Sequence, residues 1–229
     1  MIIVASDLHL YCENPFVREW TRYVMGQNPA LLVFNGDIAD PWKSSWATIL
    51  GLQSWADIQT LVRNRDDAGY PTVYIRGNHD YGIKQEYLEG AEILNRFEIG
   101  DFEFRHGWER DAVWTLINKP AFWIADHLPA LAIRIHKMLY GEMSVAPSSI
   151  AALDLYESWN LHVGAIHTLW REYADKHKKK VVIGHSHCQW NDPLLTDCGA
   201  LYMGQWVEMG EHAVLRSSLD SDRSLNDGN

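Results

Sequence analysis

The sequence predicts an α/β fold with a largely parallel sheet and an inserted helical block, on three observations. Short apolar, β-branched runs alternate with stretches of helical spacing over the first 80 residues. Those runs end in Asp, Asn or His, several of them beside a glycine. The block 108–180 then replaces the alternation with an almost wholly helical pattern.

Taken in order, Ile2 to Ala5 is a buried strand that ends at Ser6-Asp7. Phe16 to Met25 has helical spacing, with Phe16, Trp20, Tyr23 and Val24 on one side. Leu31 to Phe34 is a second strand, closing on Asn35-Gly36-Asp37. A helix is expected from Ser45 to Arg65, carrying Trp46, Ile49, Leu50, Ala56, Leu61 and Val62. Pro71 precedes the strand Thr72 to Ile75, which delivers Arg76-Gly77-Asn78-His79-Asp80. Strand and helix in this succession imply right-handed crossovers and parallel neighbours. Lys84 to Leu94 reads as a further helix. Phe97 to Phe104, alternating about Gly100-Asp101, reads as a hairpin presenting His106-Gly107.

Trp108 to Lys180 is expected to be an inserted helical cap. It breaks at Lys119-Pro120, at Pro129 and between Gly141 and Pro147, and continues as a long helix from Ser148 to about His177. Its aromatics, Trp114, Trp123, Trp159 and Trp170, read as the cap's own core or docking surface. His127, His136, His162 and His167 read as surface or packing residues. The strand Val181 to Ile183 runs into Gly184-His185-Ser186-His187. Strands follow at Ala200 to Val207 and His212 to Arg216, joined by a turn at Met209-Gly210. The expected division is a core of 1–107 and 181–216, a cap of 108–180, and a disordered tail of 217–229 rich in Ser, Asp, Asn and Gly.

With 229 residues and 47% hydrophobic content the chain suits one large domain with an insertion. Cys12, Cys188 and Cys198 have no zinc-finger spacing and cannot pair completely, so free thiols in a reducing, cytoplasmic setting are expected. The N-terminal MIIVASD reads as a first strand and not as a signal peptide. The most apolar later stretch, Ala121 to Ile135, is interrupted by Asp126, His127, Pro129 and Arg134, and no transmembrane span is expected. The net charge is −10, yet 108–180 holds nine Lys and Arg against eight Asp and Glu, leaving 11 against 22 in the remainder. The acidity therefore belongs to the framework. No basic stripe is present to meet duplex nucleic acid, and an anionic substrate would need bound cations.

The polar residues gather where open α/β sheets collect ligands, beyond the carboxyl ends of strands. His185 and His187, two residues apart on a loop leaving a strand, suit metal ligation because a rigid sheet leaves them little freedom to lose. Imidazoles with carboxylate and amide oxygens suit manganese, iron or zinc, and the absence of a thiolate set argues against a closed structural zinc site.

Asp7-Leu8-His9, Gly36-Asp37, Gly77-Asn78-His79-Asp80, His106-Gly107 and Gly184-His185-Ser186-His187, in that order and each after an expected strand, resemble the calcineurin-like metallophosphoesterase superfamily. The resemblance implies a layered fold of mixed β-sheets flanked by helices and two divalent metal ions, manganese first, with iron or zinc fitting the same ligands. It implies that Asp7, His9 and His187 hold one ion, that Asn78, His106 and His185 hold the other, and that Asp37 bridges them. It further implies attack on phosphorus by a bridging hydroxide, with His79 over the site and oriented by Asp80.

The substrate implied is a phosphodiester, phosphomonoester or pyrophosphate. Protein phosphatases of the superfamily carry an Arg after the second motif and end the third in Glu, unlike Gly36-Asp37-Ile38-Ala39 and Asn78-His79-Asp80 here. The helical block, Asp40-Pro41-Trp42 and Gln205-Trp206-Val207-Glu208 resemble the UDP-2,3-diacylglucosamine pyrophosphatases, whose cap holds acyl chains; this implies a substrate with an apolar part and peripheral membrane contact. Those enzymes have Arg at the place of His79 and Asp at the place of Trp108. A nuclease or cyclic-nucleotide phosphodiesterase and a non-catalytic scaffold are the alternatives.

Overall fold

A computed structural model of the chain describes residues 1–111, 150–198, 205–209 and 213–217, together with residues 124, 128, 130, 131 and 134. Strand β1 (Ile2–Ala5) leads to helix α1 (Pro15–Gln27), β2 (Leu31–Asn35), the paired helices α2 (Trp46–Leu50) and α3 (Gln53–Asp67), and β3 (Thr72–Ile75). Then come β4 (Glu92–Leu94), the hairpin β5 (Phe97–Ile99) and β6 (Phe102–Phe104), and the long helix α4 (Ile150–His177). The chain closes with β7 (Lys180–Ile183), β8 (Gln189–Asn191), β9 (Leu195–Cys198), β10 (Gln205–Met209) and β11 (Ala213–Ser217).

The strands form two mixed sheets. One has the order β11-β10-β1-β2-β3-β4, with β1 to β4 parallel and β10 antiparallel to β1; the other has the order β5-β6-β7-β9-β8. Alternation along each strand sorts the core into three layers of contact. Ile3, Ala5, Leu32, Phe34 and Tyr74 pack on Val17 and Trp20 of α1 and on Trp55, Ile58 and Leu61 of α3. Val4, Val33, Val73 and Ile75 point the other way and meet Phe104, Val182 and Cys198 of the second sheet. On its far side that sheet offers Val181, Ile183 and Leu195 to Ile166, Trp170 and Ala174 of α4. The order is therefore helix, sheet, sheet, helix. Trp20, Trp55 and Trp170 are almost fully buried, and truncating any of them to Ala should cost about 3–5 kcal/mol.

Local chemistry explains where the elements depart from expectation. Helix α1 begins on an extended Asn14 whose side chain accepts from the Phe16 N–H, with proline next in the first turn. The single helix expected over 45–65 is two helices: α2 stops at Gly51, and α3 restarts where the Glu13 carboxylate accepts from the N–H groups of Gln53 and Ser54 at 2.7 and 3.1 Å. A cap delivered from 40 residues away leaves no local signature.

The helix expected over Lys84 to Leu94 does not form. Gly90 adopts φ +89°, a single 3-10 turn spans Gln85–Tyr87, and Glu92–Leu94 pairs with β3 instead. Strands β8 and β9 lie where no strand was expected; β9, despite its polar Thr196-Asp197, is buried beside β7. The break sites at 119–120, 129 and 141–147, the Met209-Gly210 turn beyond Met209 and the tail from 218 onward lie outside the described residues, whereas Ser217 ends β11. Among the described residues no helix is long and apolar enough to cross a membrane.

Candidate metal centre

Strands β1, β2 and β3 of the first sheet and β6 and β7 of the second stop at a shared edge, where their loops are stitched together. The Asn35 amide donates to the Arg105 carbonyl at 2.9 Å, the Gly184 N–H donates to the His106 carbonyl at 2.7 Å, and the His185 N–H donates to the Asp7 carboxylate at 3.1 Å. These bonds hold the loops in a costly conformation. Asp7, His9, Asp37, His185 and His187 have φ of 58, 50, 54, 68 and 56°, in the left-handed region. Among the described residues only two other non-glycine positions do so, Asn28 and Lys178, and both follow helix ends. Strain of this kind costs about 1–3 kcal/mol per residue and concentrates at functional sites.

Two glycines are needed for the close approach. A Cβ on Gly77 would lie 2.0 Å from Asp37 Oδ1, and one on Gly184 would lie 2.0 Å from Ser6 Oγ and 2.6 Å from Asp7 Oδ2.

Six of the seven residues expected as ligands fall into two groups of possible donor atoms, and a third group joins His9 and Asp37 to His79. Asp7, His9 and His187 form one: His187 Nε2 lies 3.4 Å from Asp7 Oδ1, and the Nε2 atoms of His9 and His187 are 3.0 Å apart. Asp37, His106 and His185 form the other, with His106 Nε2 3.1 Å from Asp37 Oδ2. Asp37 Oδ2 also lies 3.9 Å from His9 Nε2, between the two groups. Asn78, next to His79 in the chain, is buried with no hydrogen-bond partner for Oδ1 among the described residues. A buried amide oxygen left without a donor is an acceptor open to a water or a cation.

Electrostatics point the same way. Burial works against ionisation of Asp7, Asp37 and Asp40, but the facing imidazoles outweigh it, chiefly His106 for Asp7 and Asp37 and His79 for Asp40; all three are held below the usual carboxylate range. In return His9 and His106 overcome their own desolvation and rise to about 10, His9 through Asp40 and Asp7, His106 through Asp37. Burial instead pushes His187 down to about 4 and lowers His185. The clustered carboxylates thus draw positive charge to this place, and the donor set fits divalent ions.

The neighbours of His79 differ from expectation. Its Nδ1 meets Asp40 Oδ1 at 3.0 Å, and its backbone N–H donates to Asp37 Oδ1 at 2.8 Å. The Asp80 carboxylate accepts from the N–H groups of Ile38 and Gly77, both at 2.8 Å, and from the Tyr74 hydroxyl, joining the second and third loops; burial and Asp37 raise it to about 6.

Three further residues make contacts that the sequence did not assign. Asp40, singled out only within Asp40-Pro41-Trp42, faces His9 Nδ1 at 3.4 Å as well as His79. Asp111 and Asp197, buried and outside any motif, face His185 and Ser186. Their α4 partners are His162 and His167, each at 2.9 Å. A cleft of about 500 Å³ opens over His9, His79 and His187, with Tyr11 and Lys43 in its wall. Lys43 Nζ lies 3.1 Å from Asp40 and 5.1 Å from the centre of the Tyr11 ring.

Solved structures similar to this chain include a nuclease from Pseudomonas putida, at 17% identity over 46% of this chain and 53% of its own, with a TM-score of 0.35. The chain thus spans about half of that protein. The phosphoesterase Yfce from E. coli aligns at 13% identity over 90% of this chain and 86% of its own, with a TM-score of 0.39. A dimetal phosphatase from Danio rerio aligns at 10% identity over 94% and 95%, with a TM-score of 0.44. No curated protein sequence matches the chain. The family model of the calcineurin-like phosphoesterases matches residues 1–211. With that match spanning nearly the whole chain, the protein belongs to the calcineurin-like phosphoesterase family.

Proposed function

We propose that the protein is a two-metal phosphoesterase whose ions, manganese in the first place, are held by Asp7, His9 and His187 on one side and by Asn78, His106 and His185 on the other, with Asp37 shared. The observation that carries this reading is the pair of carboxylate and imidazole groups meeting at Asp37, on loops strained to bring them there. Divalent ions at this place supply Lewis-acid charge against a phosphoryl oxygen and make hydroxide available near neutral pH from a water whose pKa is otherwise about 16.

The remaining chemistry belongs to the side chains. Asp40 holds His79 by Nδ1, so a proton would pass to the leaving oxygen from Nε2. His79 lines the cleft, where it can also meet charge developing on the transferred phosphoryl group. Lys43 brings positive charge to the same wall, and Tyr11, 44% exposed, offers an aromatic face. The Tyr11 face favours a phosphoester whose leaving group carries an apolar or aromatic part, and Lys43 favours its anionic phosphate. Bis-p-nitrophenyl phosphate and p-nitrophenyl phosphate, given to chelator-stripped protein with manganese restored, test the reading. Manganese-dependent release of nitrophenolate is expected; silence on both esters with two ions bound would sink the catalytic assignment in favour of a scaffold.

A further inference from the structure

Two buried carboxylates outside the expected ligand set tie the last ligand loop to helix α4. Asp111, 2% exposed, accepts through one oxygen, Oδ2, from His185 Nε2 at 3.0 Å and from His162 Nε2 at 2.9 Å. Asp197, on β9 and fully buried, accepts from the Ser186 hydroxyl and from His167 Nε2 at 2.9 Å. His162 and His167 both belong to α4. Two successive residues of the loop, 185 and 186, are therefore each joined to a histidine of that helix through a single carboxylate. The helix is anchored in turn by Ile166, Trp170 and Ala174 on the second sheet, so it is a rigid support.

The bond to Asp111 has a chemical consequence for His185. A carboxylate only accepts, so the imidazole must donate at Nε2, and its lone pair is then on Nδ1. A ring fixed in this way needs no choice of tautomer or flip when an ion arrives, and carboxylate partners of metal-bound histidines are worth about 10- to 100-fold in metal affinity.

We propose that α4 is a positioning element of the metal centre. Asp111, steadied by His162, fixes His185 as the Nε2–H tautomer with Nδ1 as the ligating nitrogen, while Asp197, steadied by His167, fixes the loop at Ser186. This rests on the reading of His185 as a ligand. Asp111 and His162 are positioning residues and touch no reacting atom.

The test is calorimetric titration of manganese into chelator-stripped protein, with the melting temperature of the stripped protein measured beside it. Asp111→Asn should weaken one of the two ions by about 10- to 100-fold, with the stripped protein melting within a few degrees of wild type. His162→Leu should weaken the same ion by a smaller factor, and His162→Gln, which keeps a donor towards Asp111, should restore it. The His162 side chain is 33% exposed, so these two variants decide the matter even where Asp111→Asn does not fold. Wild-type affinity for both ions in Asp111→Asn and His162→Leu would overturn the inference alone. Affinity lost only in proportion to the stability of the stripped fold would also overturn it. Failure of the wild type to bind two ions would remove the two-metal reading, and this inference with it.

Discussion

The two halves of the metal centre use the same residue types and differ in enclosure. The half formed by Asp7, His9 and His187 opens on the cleft, with the His187 side chain 32% exposed. The half formed by Asp37, His106 and His185 is sealed, with side-chain exposures of 1, 0 and 7%. In the sealed half each imidazole has its other nitrogen braced, His106 Nδ1 by the Asn35 carbonyl at 2.7 Å and His185 Nε2 by Asp111. In the open half two imidazoles face each other at 3.0 Å, and one of them, His9, leans on Asp40, a carboxylate that also serves His79. On the two-metal reading, the sealed half would keep its ion and the open half would present one to a substrate.

The largest expected effect comes from the residue the halves share. Asp37→Ala should remove both ions and lower turnover of bis-p-nitrophenyl phosphate by about 10³-fold or more, since several kcal/mol of metal-derived stabilisation goes with them. Asp7→Ala should empty only the open half. Metal content by elemental analysis distinguishes the two: no ions retained in the first variant, one in the second. Equal loss in both would break the distinction between the halves.

The next effect concerns His79, which belongs to the open side. His79→Ala should lower kcat by about 10²- to 10⁴-fold while leaving metal content at the wild-type level. Asp40→Asn should reproduce part of that loss, because it releases His79 Nδ1. Asp80→Asn should chiefly lower the melting temperature, because its carboxylate joins loops through Ile38, Gly77 and Tyr74. A kinetic defect in Asp80→Asn larger than that in Asp40→Asn would restore Asp80 as the partner of His79.

That contrast also shows what the sequence could and could not convey. Asp7, Asp37, Asn78, His106 and His185 were legible because each follows a short apolar strand, and the end of a strand fixes where the next residues must lie. Asp40 and Asp80 were legible as residues but not as partners: one lies three positions after a ligand and the other next to His79 in the chain, yet in space it is the distant one that reaches the ring. Asp111, Asp197, His162 and His167 carried no local pattern, since carboxylates that join a helix to a loop through partners 11 to 74 residues away depend on tertiary packing. The Lys84 to Leu94 stretch failed for a related reason, because helical spacing is a weak preference against Gly90 and an open sheet edge at β3.

The smallest expected effect is a pH dependence of the metal-free protein. His9 and His106 stand at about 10 in the fold against an ordinary 6.5, so their stabilising contribution is complete below pH 6.5 and is lost as pH rises through 10. The lowered values of Asp7, Asp37 and Asp40 contribute stability that is present above pH 3.8 and lost on acidification. His187 and His185, lowered by burial, likewise favour the fold less as pH drops below 6.5. Asp80 and Asp197, raised to about 6, act in the opposite sense between 3.8 and 6, so the window free of competition is the alkaline one. The melting temperature of chelator-stripped protein should therefore fall from pH 6.5 to 9. With manganese present the fall should shrink, because ions replace those protons and bind more tightly as the imidazoles lose them. A metal-free melting temperature that stays level over this window would mean that the carboxylates of both halves are not held by protonated His9 and His106.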